Sequence, residues 1–158
     1  MASRNLFAVT ALALVCGLLP GCGGGSSRLS RGAYRARLAT LAKEANKVQT
    51  DLEKARQAKS VSEIEARLKA FASADDRLGD EVSRLKPPKD AEAANAELAR
   101  GEHDLAAAVR SVLPRVAKFT SPKAAIAFLS TSLGKVKGAH ELDEALGQLK
   151  KLGYTTGS

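Results

Sequence analysis

The sequence predicts an all-α fold, an antiparallel up-down-up-down helical bundle, and three observations support this prediction. Alanine accounts for 29 of the 158 residues, whereas there are only two isoleucines, nine valines and no tryptophan, a composition that favours helices over sheets. Apolar residues recur at alternating steps of three and four through most of the chain after residue 30, as on one face of a helix. Serine and proline interrupt this pattern at a few points, where we expect short turns.

The first helix is predicted over residues 31–58 and the second from Ser60 onward. In the first helix the apolar stripe contains Tyr34, Leu38, Leu41, Ala45, Val48, Leu52 and Ala55. Ser60 and Glu63 have the spacing of a capping box, which marks the start of the second helix. Its stripe contains Ile64, Leu68, Phe71, Leu78, Val82 and Leu85.

Asp75 occupies a position in the second stripe where an apolar residue is expected. It could pair with an Arg or Lys from another helix or line a polar pocket inside the bundle. Alternatively, the stripe shifts to Ala74 and Leu78 for one turn and leaves Asp75 half-exposed. Because ionisable side chains are rarely buried, the half-exposed position is the preferred interpretation.

The third helix is predicted between two proline-containing turns. Pro87 and Pro88 end the second helix, Asp90 is the expected cap of the third, and its apolar stripe continues to Phe119. Pro114 lies inside this helix, where it removes one hydrogen-bond donor, and we expect a kink.

The fourth helix begins at Pro122 with Ser121 as its cap, and the short turn predicts that it runs antiparallel to the third. Its apolar stripe slips after Val136, and Gly134 and Gly138 flank the slip. We therefore expect the fourth helix to be broken near Gly138, with a bundle domain over 31–153 and a tail over 154–158.

Residues 1–21 have the pattern of a cleavable targeting segment. Arg4 precedes an apolar run of 14 residues from Leu6 to Leu19, interrupted only by Thr10 and Gly17. Crossing a bilayer takes about 20 apolar residues, so the run is typical of a signal peptide and too short for a permanent transmembrane helix.

A five-residue motif, Leu18-Leu19-Pro20-Gly21-Cys22, follows the apolar run. It resembles the lipobox of bacterial lipoproteins, with an aliphatic residue three positions before an obligatory cysteine and a small residue just before it. Pro20 departs from that pattern, in which Ala, Ser, Thr or Val is usual. The resemblance implies that the leader is cut before Cys22 and that its thiol carries diacylglycerol. The alternative is that Cys22 is an unpaired thiol or half of an intermolecular disulfide.

Residues 22–30 are predicted to be the lipidated cysteine and a flexible tether, because three glycines and two serines follow Cys22. Cys16 would leave with the leader. We expect a lipid-anchored protein on the extracytoplasmic face of the cell membrane. Gly23, and not Asp, follows the cysteine, which is compatible with the outer membrane where the source has two membranes and with the plasma membrane in Gram-positive bacteria.

The motif Leu85-Lys86-Pro87-Pro88-Lys89-Asp90 lies between two alanine-rich helices downstream of the lipobox. This arrangement resembles that of small helical lipoproteins of high-GC Gram-positive bacteria. The resemblance implies a lipid-anchored helical domain and no particular activity.

Basic residues are concentrated in two regions of a chain whose net charge is +8. Four arginines precede Glu44, the first acidic residue after the leader: Arg28, Arg31, Arg35 and Arg37. We expect these four to contact anionic lipid headgroups near the anchor, the alternative being a solvated helix start. Between Asp104 and Glu141 there are six more and no acid: Arg110, Arg115, Lys118, Lys123, Lys135 and Lys137.

The second basic region could meet an anionic wall polymer or an acidic protein, although a solvated face is the more usual explanation of such a run. We do not expect a nucleic-acid partner. Only 4% of the residues are aromatic, and the basic residues lack the interleaved aromatic rings on which single-stranded bases stack.

His140 and Glu144 are spaced one helical turn apart and could supply two metal ligands, with His103 as a third. The metalloprotease motif needs a second histidine where Glu144 stands. Gly-x-Ser-x-Gly is also absent from the sequence.

The sequence therefore predicts a membrane-anchored extracytoplasmic lipoprotein, a helical bundle that binds or scaffolds. We expect no catalysis and no cofactor. The alternative is a metal-binding protein or metal-dependent enzyme that uses His140 and Glu144.

Overall fold

The computed structural model describes residues 28–134 and 136–154, and within them every regular element is helical. This confirms the all-α class. The leader, Cys22 and residues 23–27 of the predicted tether lie outside the described residues, whereas residues 28–30 lie within them. The elements are α1 (Arg31–Ala55), α2 (Val61–Arg84), a 3-10 turn (Lys89–Ala91), α3 (Glu92–Val116), α4 (Pro122–Ser132) and α5 (Lys137–Lys151).

Three serines cap helices where the sequence favours a start. The hydroxyl of Ser30 accepts from the backbone N–H of Ala33 and begins α1. Ser60 accepts from the N–H of Glu63, whose carboxylate accepts in return from the N–H of Lys59. Ser121 begins α4, with Pro122 in its first turn.

Asp90 is not the cap of the third helix, contrary to expectation. It lies inside the 3-10 turn, and the residue that precedes α3 is Ala91, whose side chain makes no capping bond. The Asp90 carboxylate instead accepts a hydrogen bond of 2.7 Å from the hydroxyl of Tyr154. The partner is 64 residues away, so the tertiary contact takes the side chain away from local capping.

Neighbouring helices pack in three main pairs, α1 on α2, α2 on α3 and α3 on α5, while α4 contacts α3 and α2 over smaller areas. Between α2 and α3, later residues of one helix contact earlier residues of the other. The Asn95 side chain of α3 reaches the carbonyl of Val82, and the later Arg110 reaches that of the earlier Ala72. Helices α2 and α3 are therefore antiparallel.

The core consists of two apolar clusters. The first lies where α1 begins and α5 ends, and its largest buried side chains are Tyr34, Leu38, Leu78, Val82, Leu98, Leu149 and Tyr154. The second lies towards the other end, with Ile64, Leu68, Phe71, Val109 and Val116 buried. Tyr154 belongs to the core, so the packed domain extends one residue beyond the predicted boundary at 153.

Helix α4 ends at Ser132 and α5 begins at Lys137, so Gly138 lies within the first turn of α5. A Cβ atom at Gly138 would lie 2.7 Å from the carbonyl oxygen of Gly101 and 2.5 Å from the backbone nitrogen of Leu105. Gly138 therefore permits close packing of α5 on α3. This packing role was not predicted from the sequence.

None of the described helices is both long enough and apolar enough to span a membrane.

Candidate functional site

The end of the domain near the start of α1 is closed by arginine side chains. Helix α5 ends in a Schellman arrangement, with Gly153 at a φ of 75° and the N–H of Tyr154 bonded to the carbonyl of Leu149. Two carbonyls of this turn accept hydrogen bonds from arginines of α1. Arg31 donates to Leu152 at 2.7 Å, and Arg35 donates to Gly153 at 2.6 Å. These cations also lie at the negative end of the α5 dipole.

Arg28, the first residue that the structure describes, binds to the elbow between α2 and α3. Its guanidinium donates to the carbonyl of Pro87 at 3.1 Å and to both carboxylate oxygens of Glu92. The N–H of Leu29 donates to the carbonyl of Lys86 at 2.7 Å. We call this part of the molecule, comprising residues 28–35, 86–92 and 152–154, the arginine-closed end.

Two tyrosines form the interior of the arginine-closed end. Tyr34 and Tyr154 meet edge to face, and Arg31 lies 4.9 Å above the ring of Tyr154. The Tyr34 hydroxyl donates to Asn95, which in turn donates to the carbonyl of Val82. Burial raises the pKa of Tyr34 to about 12, so this hydroxyl stays protonated.

Three of the four arginines expected to contact lipid therefore have internal partners: Arg28, Arg31 and Arg35. Arg37 differs from them. Its side chain forms no hydrogen bond or ion pair with another described residue, and it lines a groove of about 390 Å³ between α1 and α2. We call this the basic groove, and its lining residues are Leu29, Arg37, Thr40, Leu41, Glu81, Arg84, Leu85 and Lys86.

Arg84 and Lys86 were not among the residues predicted to contact a ligand or the membrane. Their position in the sequence, just before the Pro87-Pro88 elbow, could have identified them. An antiparallel α1–α2 pair brings the end of α2 beside the beginning of α1, and hence beside Arg37.

Asp75 is buried between the two apolar clusters, with only 3% of its surface exposed. The preferred expectation of a half-exposed side chain was wrong, because α2 keeps its phase and Ala74 takes the more exposed position. No cation pairs with Asp75, and its Oδ2 atom has no hydrogen-bond partner among the described residues. Burial, together with the nearby carboxyl of Glu102, raises the pKa of Asp75 to about 8. Burial also raises the pKa of Glu102 to about 7.

His103 lies on α3 beside two carboxylates of α2. Its Nδ1 atom is 3.3 Å from Asp76, and its Nε2 atom is 3.7 Å from Asp80. Arg110 also bonds to Asp76 and, with His103, holds the pKa of that carboxyl below its usual range. The two ring nitrogens face different carboxylates, so the arrangement is a link between α2 and α3 rather than a set of ligands around one point.

His140 and Glu144 form an exposed pair on α5, with 3.3 Å between the Nε2 and Oε1 atoms. The structure brings no third ligand to them. Over residues 28–134 and 136–154 no group of three or more His, Cys, Asp and Glu side chains has a metal-binding arrangement.

Several cations of the second basic region also have internal partners. Arg110 pairs with Asp76, and Arg115 lies 4.6 Å above the ring of Phe128. Lys137 pairs with Glu141 at 2.8 Å and with Asp104 at 3.2 Å. The region therefore offers a partner less free charge than its composition suggests.

Two features stand out in the part of the chain that the structure describes. One is the arginine-closed end with the adjoining basic groove, and the other is the buried Asp75 with the half-buried Glu102. The first combines cations, an apolar floor and proximity in sequence to Cys22, whereas Asp75 lies in the core with 3% of its surface exposed. Comparison of the chain with protein-family models, curated proteins and solved structures finds no match.

Proposed function

We propose that this protein is a membrane-anchored extracytoplasmic lipoprotein whose helical bundle binds or scaffolds a partner beside the membrane. The observation that carries the proposal is the lipobox at Cys22, followed within six residues by a firmly bonded domain. Attachment at Cys22 would hold the arginine-closed end towards the bilayer, because Arg28 bonds the chain to that end. The opposite end, with the α1–α2 and α3–α4 turns, would then face away from the lipid.

The bundle in this proposal has up-down-up-down topology, with α4 and α5 together as a broken fourth helix. The antiparallel α2–α3 pair supports this arrangement, as do the links between α3 and α5. Glu97 bonds to Gln148, while the later Asp104 bonds to the earlier Lys137. Such a bundle presents long side-chain-covered faces, which suits a binding or scaffolding role.

Lipid attachment can be tested by labelling with an alkyne-bearing fatty acid in a bacterium that processes lipoproteins. The full-length wild-type chain should incorporate the label, and Cys22→Ser should lose it. Cys16→Ser is a matched control, since it removes the other cysteine from the leader and should leave labelling unchanged. An unlabelled wild type, or label that persists in Cys22→Ser, would refute the anchor.

A further inference from the structure

The basic groove has the form of a small ligand site at the arginine-closed end. Its floor is aliphatic, with Leu41 buried and Leu29 and Leu85 partly buried. Its volume of about 390 Å³ lies within the range of pockets that hold small organic molecules, which is about 300–1,000 Å³. No aromatic side chain lines it, so it lacks a surface for stacking a base or a sugar ring.

The rim of the groove carries an excess of positive charge. Arg37, Arg84 and Lys86 line it together with one carboxylate, Glu81. Arg84 has a weak partner in Asp80, 3.6 Å away, and its side chain remains 76% exposed. The side chains of Arg37 and Lys86 bond to no other described residue, unlike those of Arg28, Arg31 and Arg35. Their charges therefore remain available to an anion.

The frame of the groove is fixed before any ligand arrives. The backbone of Leu29 is bonded to that of Lys86, and Arg28 is bonded to the carbonyl of Pro87. These bonds tie the start of α1 to the end of α2 on either side of the aliphatic floor. A preformed site loses less conformational entropy on binding than one that must be ordered by its ligand.

We infer that the basic groove binds an anionic phospholipid, with its phosphate at Arg37, Arg84 and Lys86 and the adjoining part of an acyl chain over Leu41 and Leu85. Guanidinium groups match phosphate oxygens in pairs, and the aliphatic floor suits an acyl chain. The inference rests on the proposed anchor for the source of the lipid. Leu29 is seven residues from Cys22, a distance of at most about 25 Å along the chain, so the groove can reach the headgroups of the same leaflet.

Native mass spectrometry of the protein extracted from membranes in a non-ionic detergent can test this inference. Phosphatidylglycerol should remain bound about tenfold more than phosphatidylcholine of the same chain length. The double variant Arg37→Gln/Lys86→Gln should weaken phosphatidylglycerol binding by about 25-fold, since each of the two headgroup-facing charges contributes a factor of about five. Both residues are exposed, and an unchanged unfolding midpoint would show that the fold is retained.

The matched control is Arg56→Gln/Lys59→Gln, which removes the same charge at the α1–α2 turn and should bind as the wild type does. Equal binding of the two lipids, or equal loss in both double variants, would overturn the inference. Glycerol phosphate that competes as well as phosphatidylglycerol would show a site for free phosphate and would refute the lipid. The protein mass in the same spectra reports acylation of Cys22, so failure of the anchor is read separately from failure of the groove.

Discussion

At the scale of single residues, Asp75 shows how burial changes the chemistry of a carboxyl group. It lies between two apolar clusters, and its pKa of about 8 keeps it largely protonated near neutral pH. The nearby Glu102 has a pKa raised in the same direction, whereas Arg110 lowers that of Asp76 on the adjoining surface. Among these three carboxyls, the folded state therefore favours the protonated form at Asp75 and Glu102 but not at Asp76.

Stability should fall as pH rises from about 4 to about 8. In the unfolded chain Asp75 titrates near 3.8, so across this range the folded state binds more protons than the unfolded state. The stabilisation from protonated Asp75 is fully present below pH 3.8, the pKa of this group in the unfolded chain. It is lost by about pH 8, the pKa of the group in the folded protein. At about 1.4 kcal/mol per pKa unit, the effect amounts to a few kcal/mol.

Chemical denaturation of Asp75→Asn at pH 5, 7 and 9 measures this effect. The variant should depend less on pH than the wild type and should be the more stable of the two at pH 9. Asp143→Asn, an exposed control on α5, should follow the wild type. A wild-type free energy of unfolding that rises between pH 5 and 8 would contradict the assignment.

The arginines show which part of residue-level chemistry could be predicted. Their concentration beside Cys22 is visible in the sequence. The partners of Arg31 and Arg35 are carbonyls more than 110 residues away at the end of α5, so local pattern could not identify them. Likewise, an aspartate in an apolar stripe indicates a slip of the stripe, because a charged carboxylate is costly to bury. Asp75 escapes that cost by protonation.

At the scale of helices, local signals identified most of the starts. Ser30, Ser60 and Ser121 cap their helices because each offers a hydroxyl to a backbone N–H three residues later. Asp90 failed as a cap because Tyr154 competes for its carboxylate. The sequence pattern indicated a helix break near Gly138. In the structure this glycine makes a close contact with α3, which depends on packing and not on local conformation.

Gly138→Ala should destabilise the domain by about 1–3 kcal/mol, because the new methyl group would meet the backbone of Gly101 and Leu105. Gly147→Ala is the matched control in the same helix, since nothing lies within 4 Å of its added Cβ. That control should stabilise the domain by up to about 1 kcal/mol through helix propensity. Denaturant unfolding of both variants gives the comparison, and equal effects would argue against close α3–α5 packing at Gly138.

At the scale of the whole molecule, the basic groove and the arginine-closed end lie close in sequence to Cys22, the residue at which we propose a lipid anchor. The all-α class followed from composition and periodicity, because amphipathic stripes are a property of each helix alone. Which helix faces became neighbours did not follow, since Arg37 meets Arg84 and Lys86 only through packing of α1 on α2. The proposed orientation, with this end towards the membrane, follows from the position of Cys22 in the chain.

The intact mass of the protein extracted from its own membranes tests the central claim most directly. We predict a chain that begins at Cys22, lacks residues 1–21 and carries the added mass of diacylglycerol, with or without a further acyl group. Digestion should place that added mass on the N-terminal peptide. A chain that retains Met1, or a Cys22 without lipid, would contradict the account.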